Sequence, residues 1–158
     1  MVNKNLEETI LEFNKCLKTN KIKWAVIGSA NMLLQGMDVN PQDLDIIIQA
    51  KDLTKIQKIF SNNKLLPIEK LKNFTNTPAW EIKITLSKID IQILGEKDNG
   101  TYVSKLLGNK LIEISLNGIK IPCLTLMAEA QAYAETNRKQ KSDLIEKFLN
   151  THEDNKEY

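Results

Sequence analysis

The sequence predicts an α/β (α+β) fold: a mixed β-sheet flanked by helices and closed by a C-terminal helical pair. Three observations carry this. Short apolar runs at 23–27, 43–49 and 89–94 have strand length and no helical period. Apolar residues recur at helical spacing between charged ones over 4–19 and 52–60. After Pro122 the pattern turns helical up to Leu149. The resulting order is helix, strand, helix, strand, helix, several strands, then two helices. It lacks the long βαβ alternation of a full Rossmann domain.

Leu6, Ile10, Phe13 and Leu17 form one stripe, so residues 4–19 read as an amphipathic helix. Residues 23–27 read as a buried strand that Gly28-Ser29 breaks. Residues 30–35 look helical until Gly36 stops them. A polar loop leads to the second strand, 43–49. Residues 52–60 form a helix with Leu53 and Ile56 inward, and Asp52 is placed to cap it. Strands are expected at 65–71 and 80–86, separated by a polar stretch whose one aromatic is Phe74. Phe74 and Trp80 read as packing residues ahead of an acceptor platform, and Trp24 as core. Ser87-Lys88 turns the chain into the strand that holds Asp90. Asp98-Asn99-Gly100 is a turn signal. Short strands around Ile112 and Ile119 flank Leu116-Asn117-Gly118. Helices follow at 125–135 and 139–149. Residues 1–150 therefore form one domain, helical from about 125, and 151–158 a polar tail.

Composition narrows the function. A chain of 158 residues buries roughly 70% of the surface it exposes when unfolded, enough for a core without disulfides. Net charge is +2, and of 22 basic residues only Arg138 is arginine. Base readout leans on arginine forks, and there is no dense basic stripe, so a small nucleic-acid binder is disfavoured. Cys16 and Cys123 belong to no CxxC pair and read as buried free thiols in a reducing compartment. Charges interrupt the first twenty residues, as no signal peptide allows. No apolar run approaches the ~18 residues that span a bilayer. The expectation is a cytoplasmic protein without a membrane partner. The single histidine, His152, lies in the polar tail, which argues against a histidine-activated nucleophile.

The chemistry concentrates in two short segments. Ile27-Gly28-Ser29 is followed, thirteen residues on, by Asp43-Leu44-Asp45-Ile46. Alternation along a strand puts Asp43 and Asp45 on one face. Two like charges there are costly unless a cation or donors compensate. Mg²⁺ uses oxygen ligands, commonly one or two carboxylates plus substrate phosphates. Asp90, in a second apolar strand, is the candidate third acid. Its bland alternative is a surface pair with Lys83 or Lys88. Glycine at position 28 lets a phosphate approach the backbone, and Ser29 adds a hydroxyl at a helix start. Arg138 and Lys141 supply positive charge if the last helix folds over the cleft; otherwise they are solvated. Glu129 and Gln131-Ala132-Tyr133 are near enough in the pattern to reach the cleft, and the sequence leaves that open.

The spacing Gly28-Ser29, then Asp43-Leu44-Asp45-Ile46, resembles the hG[GS]…DhDh signature of the DNA polymerase β-like nucleotidyltransferase superfamily. The likeness spans about residues 22–150 and is closest to small single-domain members of the aminoglycoside and lincosamide type. It implies a nucleotidyltransferase-type mixed sheet. It implies that Gly28 and Ser29 hold nucleotide phosphates, joined by Arg138 and Lys141. It also implies that Asp43, Asp45 and Asp90 ligate Mg²⁺ (or Mn²⁺) and form the catalytic triad. In the tail, Lys141 is followed by Ser142, and the acid arrives only at Asp143.

The implied activity is transfer of a nucleoside monophosphate from an NTP to an acceptor hydroxyl with release of pyrophosphate. The acceptor is a small molecule, a nucleic-acid end or a protein. A toxin partner is a further expectation for small superfamily members. The alternative is a module of the same fold that binds a nucleotide or a partner without turnover.

Overall fold

A computed structural model describes residues 2–72 and 77–152; Phe74 lies outside them. Helix α1 (Lys4–Thr19) precedes strand β1 (Trp24–Ile27) and helix α2 (Gly28–Leu34). Strand β2 (Leu44–Gln49) leads through a 3-10 turn, Ala50–Asp52, into α3 (Leu53–Ile59). Strands β3 (Lys64–Leu65), β4 (Glu69–Leu71), β5 (Ala79–Leu86) and β6 (Ile89–Glu96) follow. Helix α4 (Val103–Leu107), strands β7 (Leu111–Leu116) and β8 (Ile119–Leu124), and helices α5 (Leu126–Glu135) and α6 (Lys139–Thr151) complete the order.

The strands form one mixed sheet in the order β3-β5-β6-β2-β1-β8-β7, with β4 also paired to β5. The neighbours β2 and β6 are parallel, as are β1 and β8, while β1 and β2 are antiparallel. Helices cover both faces, which is why β1 and β2 read as nearly unbroken apolar runs. One face packs Val26, Ile46, Ile48 and Ile93 against α1 and α3. Phe13 anchors it, edge-on to Trp24 at 5.4 Å and stacked on Phe60 at 5.5 Å. The opposite face packs Ala25, Ile27, Ile47 and Leu94 against α4 and α5. A smaller cluster, with Met32, Leu126, Tyr133 and Ile145, ties α2, α5 and α6 together.

Several local expectations change. The expected strand at 65–71 is split, because Pro67 has no N–H to give a ladder. Asp52 does not cap α3 through its side chain. It lies in the 3-10 turn, buried, and pairs with Lys55 at 3.3 Å. Its αR backbone withholds it from the cap geometry. Helix α2 begins at Gly28 itself rather than at Ala30. Helix α4 was not expected at all. Cys16 is half-buried rather than buried. Cys123 is buried, with its thiol pushed up to about 12, mainly by desolvation. The two-residue turns work as expected: Ser87-Lys88 and Asn117-Gly118 all have positive φ, as a tight hairpin requires. Trp24 is core, and Trp80 packs half-buried against the same cluster. No helix among the described residues is long and apolar enough to cross a membrane.

Gly95 shows how closely α3 is seated on the sheet. A Cβ there would lie 2.7 Å from Leu53 Cδ1 and 2.8 Å from its Cγ. Leu53 is itself buried and has no room to retreat. Gly95→Ala should therefore cost about 1–3 kcal/mol, the scale of overpacking a core. A urea denaturation midpoint unchanged from wild type would contradict this packing.

Candidate functional site

The site forms where β1 ends and β2 begins. Antiparallel pairing sets Ile27 beside Asp45, and the parallel partner of Asp45 on β6 is Gln92. Asp45 thus occupies the α4–α5 face of the sheet, between apolar Ile27 on β1 and polar Gln92 on β6. Asp43 sits just before β2 and is exposed, while Asp45 is half-buried. Burial raises the Asp45 pKa first, and the neighbouring Asp43 charge raises it further. Lys141 and Arg138 oppose that shift.

Gly28 follows Ile27 with φ +72, a conformation that favours glycine. A Cβ there would come within 2.7 Å of Asp45 Oδ2. The glycine is therefore required twice, by its backbone and by the carboxylate packed against it. Its N–H is not open to solvent. It donates to Glu129 Oε1 at 2.5 Å. Helix α2 lacks a side-chain cap of its own, so this carboxylate from α5 serves instead. Asn31 Nδ2 donates to the same Oε1 at 3.0 Å and to the Leu124 carbonyl at 3.1 Å. Glu129 is fully buried, and its pKa is raised to about 7, mainly by desolvation.

A cavity of about 140 Å³ opens beside this junction. Gly28, Ser29, Asp45 and Gln92 line one side, and Tyr102, Tyr133, Arg138 and Lys141 the other. Helix α6 therefore does bring its cations to the cleft. Arg138 is fixed by its neighbours: Nη2 donates to Tyr102 Oη at 2.6 Å and Nε to Thr136 Oγ1 at 3.1 Å. Its guanidinium lies 4.7 Å from the Tyr133 ring centre, and Lys141 Nζ lies 5.4 Å from it. Tyr102 is in turn placed by Glu96, whose Oε2 accepts the Tyr102 and Val103 N–H groups at 2.9 and 3.0 Å.

Asp90 is exposed and does not line the cavity. Its Oδ1 accepts from the Thr85 hydroxyl at 2.9 Å. Lys83 pairs instead with Glu81, at 3.7 Å. Gln92 also donates to Glu81, which is buried. Continuing the β2–β6 register by one residue, from Leu44 beside Ile91, brings Asp90 level with Asp43. Among the described residues no three Asp, Glu, His or Cys side chains converge at metal-ligand spacing. The donor set of Asp43 and Asp45 nevertheless suits a hard cation. It is all oxygen, and the burial and the Asp43 charge that raise Asp45 both disfavour its ionised form, which a divalent ion would favour. Glu81, Gln92 and Tyr102 were not named by sequence as site residues, and Glu129 was named only as a residue near enough to reach the cleft.

Solved structures with the same fold include nucleotidyltransferases. TM1012 of Thermotoga maritima matches with a TM-score of 0.71 at 23% identity, over 96% of each chain. The antibiotic-resistance factor ANT(2'')-Ia matches with a TM-score of 0.62 at 10% identity, over 94% of this chain and 86% of that one. The lincosamide antibiotic adenylyltransferase LnuA, solved with lincomycin, gives 0.55 at 13% identity, over 88% and 97%. Identities this low speak to the fold alone. No curated protein matches the chain by sequence. Residues 9–147 match the family model for aminoglycoside-2''-adenylyltransferase, and the chain belongs to that family of nucleotidyltransferases.

Proposed function

We propose that this protein is a metal-dependent nucleotidyltransferase that moves a nucleoside monophosphate, in the adenylyl manner of its family, from an NTP to an acceptor hydroxyl. The observation that carries this reading is the placement of Asp45, pressed on Gly28 and facing Arg138 and Lys141 across one cavity. Asp43 and Asp45, with Asp90 as third ligand or general base, would hold Mg²⁺ or Mn²⁺, which neutralises triphosphate charge and acidifies the acceptor hydroxyl. Ser29, with Gly28 keeping the backbone close, binds the β- and γ-phosphates. Arg138 and Lys141 bind the triphosphate from the opposite wall. The acceptor oxygen attacks the α-phosphorus in line, and the bond to pyrophosphate breaks. The hydroxyl proton passes to a carboxylate. The chain's own contribution is positioning and preorganised charge.

The acceptor approaches over β5 and β6, where Glu81 and Asp90 extend the negative face beyond Asp45 and Lys83 is already paired. That surface favours a cationic, hydroxyl-bearing small molecule over an anionic nucleic-acid end.

Calorimetry of the four NTPs with Mg²⁺ tests the site. Wild type should bind at least one NTP in a metal-dependent way, and the Asp43→Asn/Asp45→Asn double variant should show no binding while remaining folded. Metal-dependent binding retained by the double variant would sink this reading.

The raised Asp45 pKa makes a second test possible. Because the folded value lies above the unfolded one, ionising Asp45 removes stability as pH rises through its titration. Asp45→Asn should therefore be more stable than wild type at pH 7, by about 0.5–2 kcal/mol, while losing transfer activity. Thermal melts at pH 4 and pH 7 check this: the gain should appear at the higher pH and shrink at the lower.

Arg138→Lys keeps the charge but gives up the fork that reaches both Tyr102 and Thr136. NTP affinity should fall by roughly 10-fold, the scale of one charge-assisted hydrogen bond. Equal affinity in the lysine variant would show that only charge matters at this position.

A further inference from the structure

We propose that Glu129 is a positioning residue for the nucleotide site: its carboxylate, reaching from α5, fixes the Gly28-Ser29 turn and through Gly28 the seat of Asp45. This rests on the nucleotide-site reading above. Acidic side chains are almost never fully buried unless paired, and Glu129 is wholly inaccessible. Its Oε1 accepts two neutral donors, the Gly28 N–H and the Asn31 amide. Its Oε2 is buried and accepts no hydrogen bond.

Stability alone does not explain such a group. Burying a carboxylate against neutral donors is costly, and an apolar residue of similar size is often neutral or better at such a position. The neighbouring core residues Ala128 and Ala132 on the same helix are apolar. What the carboxylate secures is the position of one backbone N–H. Gly28 is held by it at 2.5 Å, in the left-handed conformation, where a Cβ would strike Asp45 Oδ2. A shift of the turn by a fraction of an ångström would open or close that contact. Asn31 braces the arrangement. Gln35 Nε2 donates to Asn31 Oδ1 at 2.6 Å and to the Leu124 carbonyl at 2.7 Å. One string of polar contacts thus ties α2, the end of β8 and α5 to the turn. Gly28 and Ser29 both line the cavity, and with the Gly28 N–H committed to Glu129 it is Ser29 that has a donor to offer there.

Three variants test this: Glu129→Gln, which keeps an acceptor oxygen for both donors; Glu129→Leu, which removes it; and Glu129→Asp, which keeps the charge and withdraws the carboxylate by one methylene. Two readouts are needed. Amide hydrogen exchange at Gly28 reports the anchor without any ligand, and calorimetry with Mg²⁺ and NTP reports the site. In wild type the Gly28 amide should be protected. The Leu and Asp variants should lose roughly 10-fold or more in Gly28 protection and in NTP affinity, and the Gln variant should restore both to within about 2-fold. Protection elsewhere in the sheet should be unchanged. If the Leu variant fails to fold, the Asp variant carries the comparison. An unprotected Gly28 amide in wild type overturns the proposal. So does wild-type NTP affinity in a folded Leu or Asp variant, or a Gln variant as weak as Leu. Failure of wild type to bind any NTP overturns the functional reading instead, and the exchange arm still decides the anchor.

Discussion

The contact between Asp45 and Gly28 is the constraint on which the rest of this site depends. A carboxylate placed in a strand whose neighbours are apolar must be given somewhere to go. Here it lies directly against a backbone that only glycine permits, in a conformation that glycine favours. Its charge is opposed by burial and by Asp43, and supported by Lys141 and Arg138. Those two cations come from the far end of the chain, so the C-terminal helical pair is part of the site as well as of the core. Met32, Tyr133 and Ile145 pack α2, α5 and α6 into one cluster, which holds the cations over the strand ends. Removing Asp45 would relieve the fold, which is the signature of a residue kept for chemistry.

Most of the scaffold was legible because its signals are local. Strands β1 and β2 are buried on both faces and read as nearly unbroken apolar runs, and α1 displays its stripe from Leu6 to Leu17. The turns at Ser87-Lys88 and Asn117-Gly118 announce themselves by residue type. Helix α4 did not, because nothing within five residues specifies it. Its first N–H groups are satisfied by Glu96, on the preceding strand, whose carboxylate also packs on Gly100. A cap supplied from outside a helix leaves no pattern inside it. The same reason hid the start of α2, which Glu129 caps from a hundred residues away.

The candidate site was legible only in part. Gly28, Ser29, Asp43 and Asp45 lie in consecutive elements, so their spacing alone brings them near one another. Which residue stands beside Asp45 on the next strand is a matter of register, and register is fixed by packing across the whole sheet. Asp90 and Gln92 share a face, and the structure sets Gln92 opposite Asp45 and Asp90 one pair nearer the strand start. Sequence could name the strand and the face, but the two-residue choice along it required the pairing of Leu44 with Ile91 and of Ile82 with Ile93.

The two walls of the cavity are each set by a buried acid that does not line it. Glu96 holds the start of α4 and so aims Tyr102, whose hydroxyl accepts from Arg138. Glu129 holds the start of α2 and so places Gly28 against Asp45. Each carboxylate has one oxygen that accepts two donors, two backbone N–H groups at Glu96 and one backbone N–H with the Asn31 amide at Glu129, and the other without a hydrogen bond. Desolvation raises both pKa values. Two such groups in one small domain are hard to reconcile with stability as their purpose. They are consistent with a cleft whose opposing charges, Asp45 on one wall and Arg138 on the other, must keep a fixed separation before any ligand arrives. Preorganisation of that kind places the energetic cost in folding, so that it is not incurred again when charge develops on a bound triphosphate.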